Sequence, residues 1–501
     1  MGSQYGLWQV LSRQGLQHRK FPFMSLTVLL AITAVYFGVL LGTNHWVSQK
    51  RGARAFYDGD KSSPWFLVAY GMIGASLSGV TFLSVPGLVG TKGFYYMQMV
   101  LGYQVGYLLI ALILIPRFYY QKVVSIYQYL ETSMGMEARL VGALSFLVSR
   151  VIGSAFRLFL VILLLQQFVL GPLYIPIEVT VIITLLLIFA YTATGGVKTL
   201  VYTDTLQTSV MLLCAGVTLY LLIRELGDFS GLLASIGQTT FDFEGFRNND
   251  NHFIKQFLGG ALLAFCMTGL DQDMMQKNLT CKDSKSGQKN IIALSLLLIP
   301  INLLFLSLGY YLCTFAQEAN LLFERPDHLF PTVIFSSGDF SAMLGGLFVL
   351  GLIAAALSSA DSALTSLTTC FQVDILQDKT FSSKKRLLIH GSFALLLATI
   401  ILGFYYAPNG ESIINRIFTV AQYTYGPLLG LFLFAMSAKR KVKAIYIPIL
   451  CMLTIGLAIW CQHLLTQNLD FNPGFLLLGI NGTIMYSLLV ITSTKNLSYE
   501  K

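Results

Sequence analysis

Residues 71–87, GMIGASLSGVTFLSVPG, are apolar enough for a membrane helix and yet too interrupted for a plain one. Gly71, Gly74 and Gly79 loosen the segment, and Pro86 is expected to end it. Ser76, Ser78, Thr81 and Ser84 carry hydroxyls that can satisfy backbone groups freed by a break. If the helix unwinds between Gly74 and Leu77, the released carbonyls turn sideways and can coordinate a cation. A span that interrupts itself points to a transport site. Close packing of helices through small residues accounts for the same letters equally well, so the rest of the chain must decide.

The surrounding composition excludes a soluble fold. Of 501 residues, 55% are hydrophobic and only 11% charged, with a mean hydropathy of +0.67. Soluble domains carry about 25% charged residues, so this chain cannot cover itself with water-facing side chains. Thirteen apolar stretches approach the length of about 20 residues that a bilayer requires. They lie near 25–43, 64–85, 93–115, 138–169, 174–192, 202–223, 254–275, 290–314, 340–373, 386–405, 413–437, 444–463 and 472–492. The polar stretches near 224–253 and 315–339 read as connections rather than folded domains. The opening MGSQYGLWQVLSRQGLQHRK lacks the compact basic region of a signal peptide, so the first span is expected to be retained.

Charge gives the orientation. With the N-terminus outside and the C-terminus inside, 22 of the 33 Lys and Arg residues fall on inner loops, including Lys198 and Lys277. That is the arrangement the positive-inside rule favours. The net charge of +9 then sits against anionic lipid and calls for no nucleic acid.

A second stretch carries the polar chemistry. Residues 354–369, AAALSSADSALTSLTT, hold seven hydroxyls and one carboxylate without a helix breaker. Helical spacing puts Ser358, Asp361, Ser362 and Thr365 along one stripe, with Ala355 and Ser359 beside it. Neutral oxygens with one carboxylate suit sodium, whereas magnesium or calcium would draw on more carboxylates or waters. A carboxylate at this depth is costly without a partner, a cation or a proton. Asp204, in YTATGGVKTLVYTDTLQT (191–208), follows an expected turn at Gly195 and Gly196. It either caps the next helix or reaches the hydroxyl stripe and shares a second cation with Ser358 and Ser362. Arg150 and Arg157 are seven residues apart in one apolar segment and share a face. Each can bind a substrate carboxylate or pair with an internal acid. Phe265, beside Gly269, offers a stacking surface. The seven scattered cysteines form no metal-ligand spacing, and no nucleophile–base set suggests an enzyme.

Five stretches together resemble the sodium/solute symporter family: LSGVTFLSVPG (77–87), YTATGGVKTLVYTDTLQ (191–207), GLDQDMMQKNLTCKD (269–283), AAALSSADSALTSLTTCFQVDI (354–375) and YGPLLGLFL (425–433). RGARAFYDG (51–59) is similar to the family's loop between its extra first helix and the core. The resemblance implies an all-α membrane fold of about 13 helices, a five-plus-five inverted repeat with broken helices. Its parts would be an extra helix and inner loop (1–63), a first repeat (64–223), an outer loop (224–253), a second repeat (254–437) and two C-terminal helices with a short tail (438–501). The implied activity is sodium-coupled symport of a small polar solute, with one or two Na+ ions, by a monomer in the bacterial inner membrane.

Residue by residue, the resemblance puts one sodium on the carbonyls of Gly74, Leu77 and Ala355 and the hydroxyls of Ser358 and Ser359. A second would use Ser358, Asp361, Ser362 and Asp204; members with two sodium ions usually carry a hydroxyl where Asp361 stands. That departure leaves sodium and a proton both open at Asp361. The pocket is most similar to that of bacterial sialic acid transporters at Ser76, Ser78, Thr81, Phe94 and Gln98. Their carboxylate-binding arginine falls at Gly153, with Arg157 one turn later, so a sugar, a sugar acid or another organic acid fits the resemblance. A channel is the rival from a different class, and it would need a continuous polar stripe that these separated groups do not supply.

Overall fold

A computed structural model describes residues 26–48, 55–323, 325–336, 341–378, 380–407, 410–438 and 440–495. The chain starts with α1 (Leu26–Ser48) and the short α2 (Ala55–Asp58). The loosened segment then forms two helices, α3 (Trp65–Ser76) and α4 (Gly79–Lys92), bent by 59°. Next come α5 (Tyr96–Leu109), α6 (Ile115–Tyr120), α7 (Tyr127–Met134), α8 (Met136–Leu165) and α9 (Ile177–Leu226), two helical segments that meet at a kink at Gly196. A second bent pair, α11 (Phe253–Ala264, extended by a π turn to Gly269) and α12 (Gln272–Asn278), turns by 69° after α10 (Phe229–Thr239). The remainder is α13 (Ser284–Glu318), α14 (Leu329–Ser336), α15 (Ser341–Cys370), α16 (Ser383–Tyr406), α17 (Gly410–Ser437), α18 (Tyr446–Leu469) and α19 (Leu476–Thr492). A two-residue antiparallel ladder, Arg440–Lys441 with Thr494–Lys495, ties the ends of α17 and α19 together.

Each of the thirteen apolar stretches overlaps a helix or a bent pair among the described residues, and 174–192 and 202–223 share α9. Among the described residues, seven helices are long and apolar enough to cross a membrane, or nine if each bent pair is one span. Burial ranks them. In the span Leu344–Ile375, 83% of the most apolar window is covered by protein, against 28% for α16 and 22% for α18. The hydroxyl-rich α15 is therefore the central helix, and α16 and α18 turn apolar surface outward, as membrane helices facing lipid do.

Local features depart from the sequence expectations in four places. Pro86 does not end its helix; α4 runs past it to Lys92 and stops at Gly93, where φ is +53°. Gly309 of α13 packs directly on this turn, since a Cβ there would lie 2.4 Å from the Pro86 carbonyl oxygen. Only Gly196 of the expected glycine pair leaves helical geometry, with φ of +68° inside α9. It has a second reason to be glycine: a Cβ there would lie 2.4 Å from Phe56 Cα on α2. The polar stretches near 224–253 and 315–339 contain α10, tied to the bundle through Thr239 and Asp228, and α14, which packs on α4, α13 and α15. Asp228 caps α10 by accepting from Gly231 N–H at 2.9 Å and also accepts from the Tyr310 hydroxyl at 2.7 Å. Finally, two cations counted as inner surface charge are buried. Arg139 binds Asp374 (2.8 Å) and Glu131 (2.5 Å), and Lys277 is 1% exposed.

Aromatic packing fixes α4. Phe82 meets Phe305 of α13, Phe330 of α14 and Phe348 of α15 with ring centroids 6.0, 5.3 and 5.8 Å away. The half-span beyond the break is thus held by helices distant in sequence.

Candidate functional site

The first break falls at Leu77 and Ser78, three residues past Gly74. Leu77 N–H makes the last helical bond, to the Ile73 carbonyl at 2.7 Å, and Ser78 is extended (φ −63°, ψ 170°). Helix ends leave carbonyls without intrahelical donors, so the backbone around Gly74–Ser76 is where α3 can offer oxygens sideways. The N-terminus of α4 receives no side-chain cap from Ser78. One break thus exposes partial negative charge from one helix end and partial positive charge from the next.

Gly74 sets how closely this break meets the scaffold. Its N–H donates to Thr208 Oγ1 of α9 at 3.1 Å. A Cβ at residue 74 would lie 2.4 Å from Thr208 Oγ1 and 2.9 Å from Ser358 Oγ of α15. Gly74 and Ser358, proposed partners on one cation, are therefore in contact. Ala355 and Ser359 are buried on the same helix, and the Ser359 hydroxyl donates to the Ala356 carbonyl at 3.1 Å. A donating hydroxyl still has lone pairs for a cation. Gly79 adjoins α15 too, its notional Cβ 3.7 Å from Ala356 N. Carbonyl and hydroxyl oxygens, with the nearest carboxylate joined to them through the Ser358 hydroxyl, fit a monovalent cation.

The two carboxylates of this region, both fully buried, have different surroundings. Asp204 Oδ1 accepts from the Ser358 hydroxyl at 2.8 Å, and Oδ2 lies 2.6 Å from Lys277 Nζ of α12. Asp204 is thus a side-chain partner eight residues past Gly196, not a helix cap. Asp361 meets neutral donors: the Tyr191 hydroxyl at 2.8 Å, Gln207 Nε2 at 3.4 Å and Ser362 N–H at 2.5 Å. The Ser362 and Thr365 hydroxyls are buried without a hydrogen-bond partner among the described residues. Ser358 and Asp204 are thus joined directly, whereas Asp361 is bonded to α9 through Tyr191 and Gln207.

The second break is charged. Asp271 caps α12, accepting from Asp273 N–H at 2.8 Å and Met274 N–H at 3.4 Å. Arg150 of α8 pairs with Asp271 at 3.7 Å and with Asp273 in a closer contact, and the Tyr425 hydroxyl of α17 donates to Asp271. Arg150 is therefore an internal counter-ion. Arg157 is not: it makes no hydrogen bond or ion pair among the described residues, although its charge is within electrostatic reach of Arg150, Asp271 and Tyr425. One turn beyond it, Val161 touches the first break, with Cγ2 2.5 Å from a Cβ built on Gly79. Arg157 consequently lies on α8 between the residue that reaches the second break and the residue that touches the first.

The remaining pocket candidates divide. Ser76 and Ser78 flank the first break and Thr81 is half-buried one turn into α4; the Ser76 hydroxyl is buried beside Tyr107 and Thr268. Phe94 and Gln98 are fully buried but engage the 229–253 segment: Phe94 N–H donates to Thr239 Oγ1 at 2.9 Å, and Gln98 Nε2 to the Asn251 carbonyl at 3.0 Å. Phe265 begins the π turn before the second break and is packed inside the core. Sequence reading did not single out Tyr191, Gln207, Lys277, Asp271, Asp273 or Tyr425. GLDQDMMQKN was legible as a family stretch, and its two acids close to a glycine were the available signal.

Against known proteins, the chain matches the sodium:solute symporter family over residues 56–444. It is similar to the human sodium/iodide cotransporter, with 26% identity over 81% of this chain and 65% of that longer protein. It is also similar to the sodium/sialic acid symporter SiaT of Proteus mirabilis, with 23% identity over 85% of this chain and 87% of that one. The fold resembles a substrate-bound, outward-open Na+-coupled sialic acid symporter, with a TM-score of 0.80 at 20% identity, covering 95% of this chain and all of the other.

Proposed function

The chain belongs to the sodium:solute symporter family, and from that premise we propose that it imports a small organic anion, of the size and polarity of a sugar acid, together with sodium. It is a multi-pass membrane transporter rather than an enzyme, and Na+ is its coupling ion. The charge distribution favours the N-terminus out and the C-terminus in, and the likeness to bacterial symporters favours a bacterial inner membrane. Bent spans at 59° and 69°, and the interruption of α9 at Gly196 that divides Ile177–Leu226 into two, favour the five-plus-five repeat.

Sodium binds first to the carbonyls of Gly74, Leu77 and Ala355 and the hydroxyls of Ser358 and Ser359. These belong to α3 and α15, so the ion joins the broken helix to the central one. That fixes the angle of the break and with it the shape of the pocket beside Ser76, Ser78 and Thr81. The uncapped N-terminus of α4 and the Arg157 guanidinium then face an anionic group. Closure outside and opening inside release the ion to a low-sodium interior. Each inward charge crossing 100 mV contributes about 2.3 kcal/mol. Because linkage is reciprocal, sodium and solute raise each other's affinity by one factor.

The observation that carries the anionic substrate is the arginine pair. Arg150 is neutralised by Asp271 and Asp273, and Arg157 lacks any such partner among the described residues. The test is uptake by proteoliposomes under an inward sodium gradient, with a panel of sialic acids, uronic acids, monocarboxylates, amino acids and neutral sugars. A carboxylated solute is expected to be taken up with sodium and not potassium. Arg157→Gln is expected to reduce its apparent affinity by at least tenfold. Preference for a neutral sugar, unaltered in Arg157→Gln, would overturn the substrate class while leaving sodium coupling intact.

A further inference from the structure

We propose that the ammonium of Lys277 is a built-in cation that stands in for a second sodium at Asp204 and Ser358, so that each chain binds one Na+ and not two. This rests on the sodium-coupled reading above and concerns its stoichiometry. Asp204 and Ser358 are the natural start of a second site, a carboxylate and a hydroxyl 2.8 Å apart in the protein interior. Asp204 Oδ1 accepts a hydrogen bond from Ser358, and Oδ2 is in ion-pair contact with Lys277 Nζ at 2.6 Å without hydrogen-bond geometry. Asp204 is 0% and Lys277 1% exposed, so neither partner is exchanged for water.

Lys277 reaches this point because of the second break. The chain bends between Gly269 and Gln272, and α12 then runs for seven residues with every one of them buried. Neighbouring bonds fix the helix. Gln276 Nε2 donates to the Tyr57 carbonyl and to Thr369 Oγ1, both at 2.9 Å, and Asn278 Nδ2 to the Gly287 carbonyl at 3.0 Å. The ammonium is thus delivered by a rigid element.

A sodium ion added on the same carboxylate would sit about 4 Å from this ammonium. At an effective permittivity of about 20, such repulsion weakens binding by roughly a thousandfold. The fixed charge therefore excludes the second ion by competition for one carboxylate. Asp361 is not part of this contact: it is bonded to Tyr191, Gln207 and the Ser362 N–H, whereas Lys277 pairs with Asp204. The first position, at Gly74 and Ser358, remains available, since Ser358 Oγ donates to Asp204 and keeps its lone pairs.

The test needs only sodium. Equilibrium binding of radioactive sodium to the purified full chain should saturate at one ion per chain. Lys277→Met and the hydrogen-bonding Lys277→Gln should each saturate at two, with Lys277→Arg remaining at one. If Lys277→Met does not fold, the Gln variant and the wild-type count still decide. Two ions on the wild-type chain, or one ion on a folded Lys277→Gln chain, would overturn the inference and leave sodium coupling standing. No saturable sodium at all would overturn the sodium-coupled reading itself.

Discussion

The two bent spans turn by similar angles and are built from opposite chemistry. Around the first, at Leu77 and Ser78, the chain supplies only glycine, hydroxyls and backbone, and no side chain caps the helix that follows. Around the second, Asp271 caps α12 with its own carboxylate, and Arg150 and Tyr425 hold that carboxylate from two other helices. A neutral break leaves its backbone oxygens and amides free for mobile ligands. A charged break uses its polar groups on itself. The pair therefore divides the work: the first break binds, and the second is a fixed corner that also carries Lys277 to Asp204.

Breaking the charged corner should have the largest effect. Arg150→Ala leaves Asp271 and Asp273 buried without their guanidinium, and removing one partner of a buried ion pair costs about 3–5 kcal/mol. A large fall in the detergent melting temperature is expected. The combination Arg150→Met, Asp271→Asn and Asp273→Asn should recover part of it, since no unpaired charge remains. Equal melting temperatures for wild type and Arg150→Ala would show that the second corner is not held by charge.

The neutral break should respond to shape. Gly74→Ala places a methyl within reach of Thr208 Oγ1 (2.4 Å) and Ser358 Oγ (2.9 Å). Overpacking of this kind costs about 1–3 kcal/mol, and moving α3 away from α15 should also weaken sodium binding. A melting curve with and without sodium separates the two effects. A Gly74→Ala chain with unaltered stability and sodium affinity would mean that the approach of Gly74 to Ser358 is unimportant.

The difference between the breaks also explains what could be read from sequence. Glycines and serines in an apolar run are a local signal, so the first break was legible to within three residues and the hydroxyl stripe of α15 was legible by its helical period. Pro86 misled because a proline inside a helix does not always end it: α4 continues to Lys92 with Gly309 of α13 packed against that turn from more than 200 residues away. The second break is a matter of pairing. Arg150 finds its acids 121 and 123 residues later, and Lys277 finds Asp204 73 residues earlier. No periodicity carries that information, so Arg150 read either as the counter-ion of an internal acid or as a substrate ligand, and Lys277 read as surface charge. Asp361 shows the same limit: its carboxylate was conspicuous, but Tyr191 and Gln207, which surround it, are ordinary letters in another helix.

The claim on which the rest depends is that sodium joins α3 to α15 through Ser358. The direct test is a sodium titration, against potassium, of the thermal stability of purified wild-type and Ser358→Ala chains. Sodium alone should stabilise the wild-type chain, and loss of one hydroxyl ligand should raise the sodium midpoint about tenfold, which corresponds to ~1.4 kcal/mol. A Ser358→Ala chain that folds and keeps the wild-type sodium midpoint would contradict it.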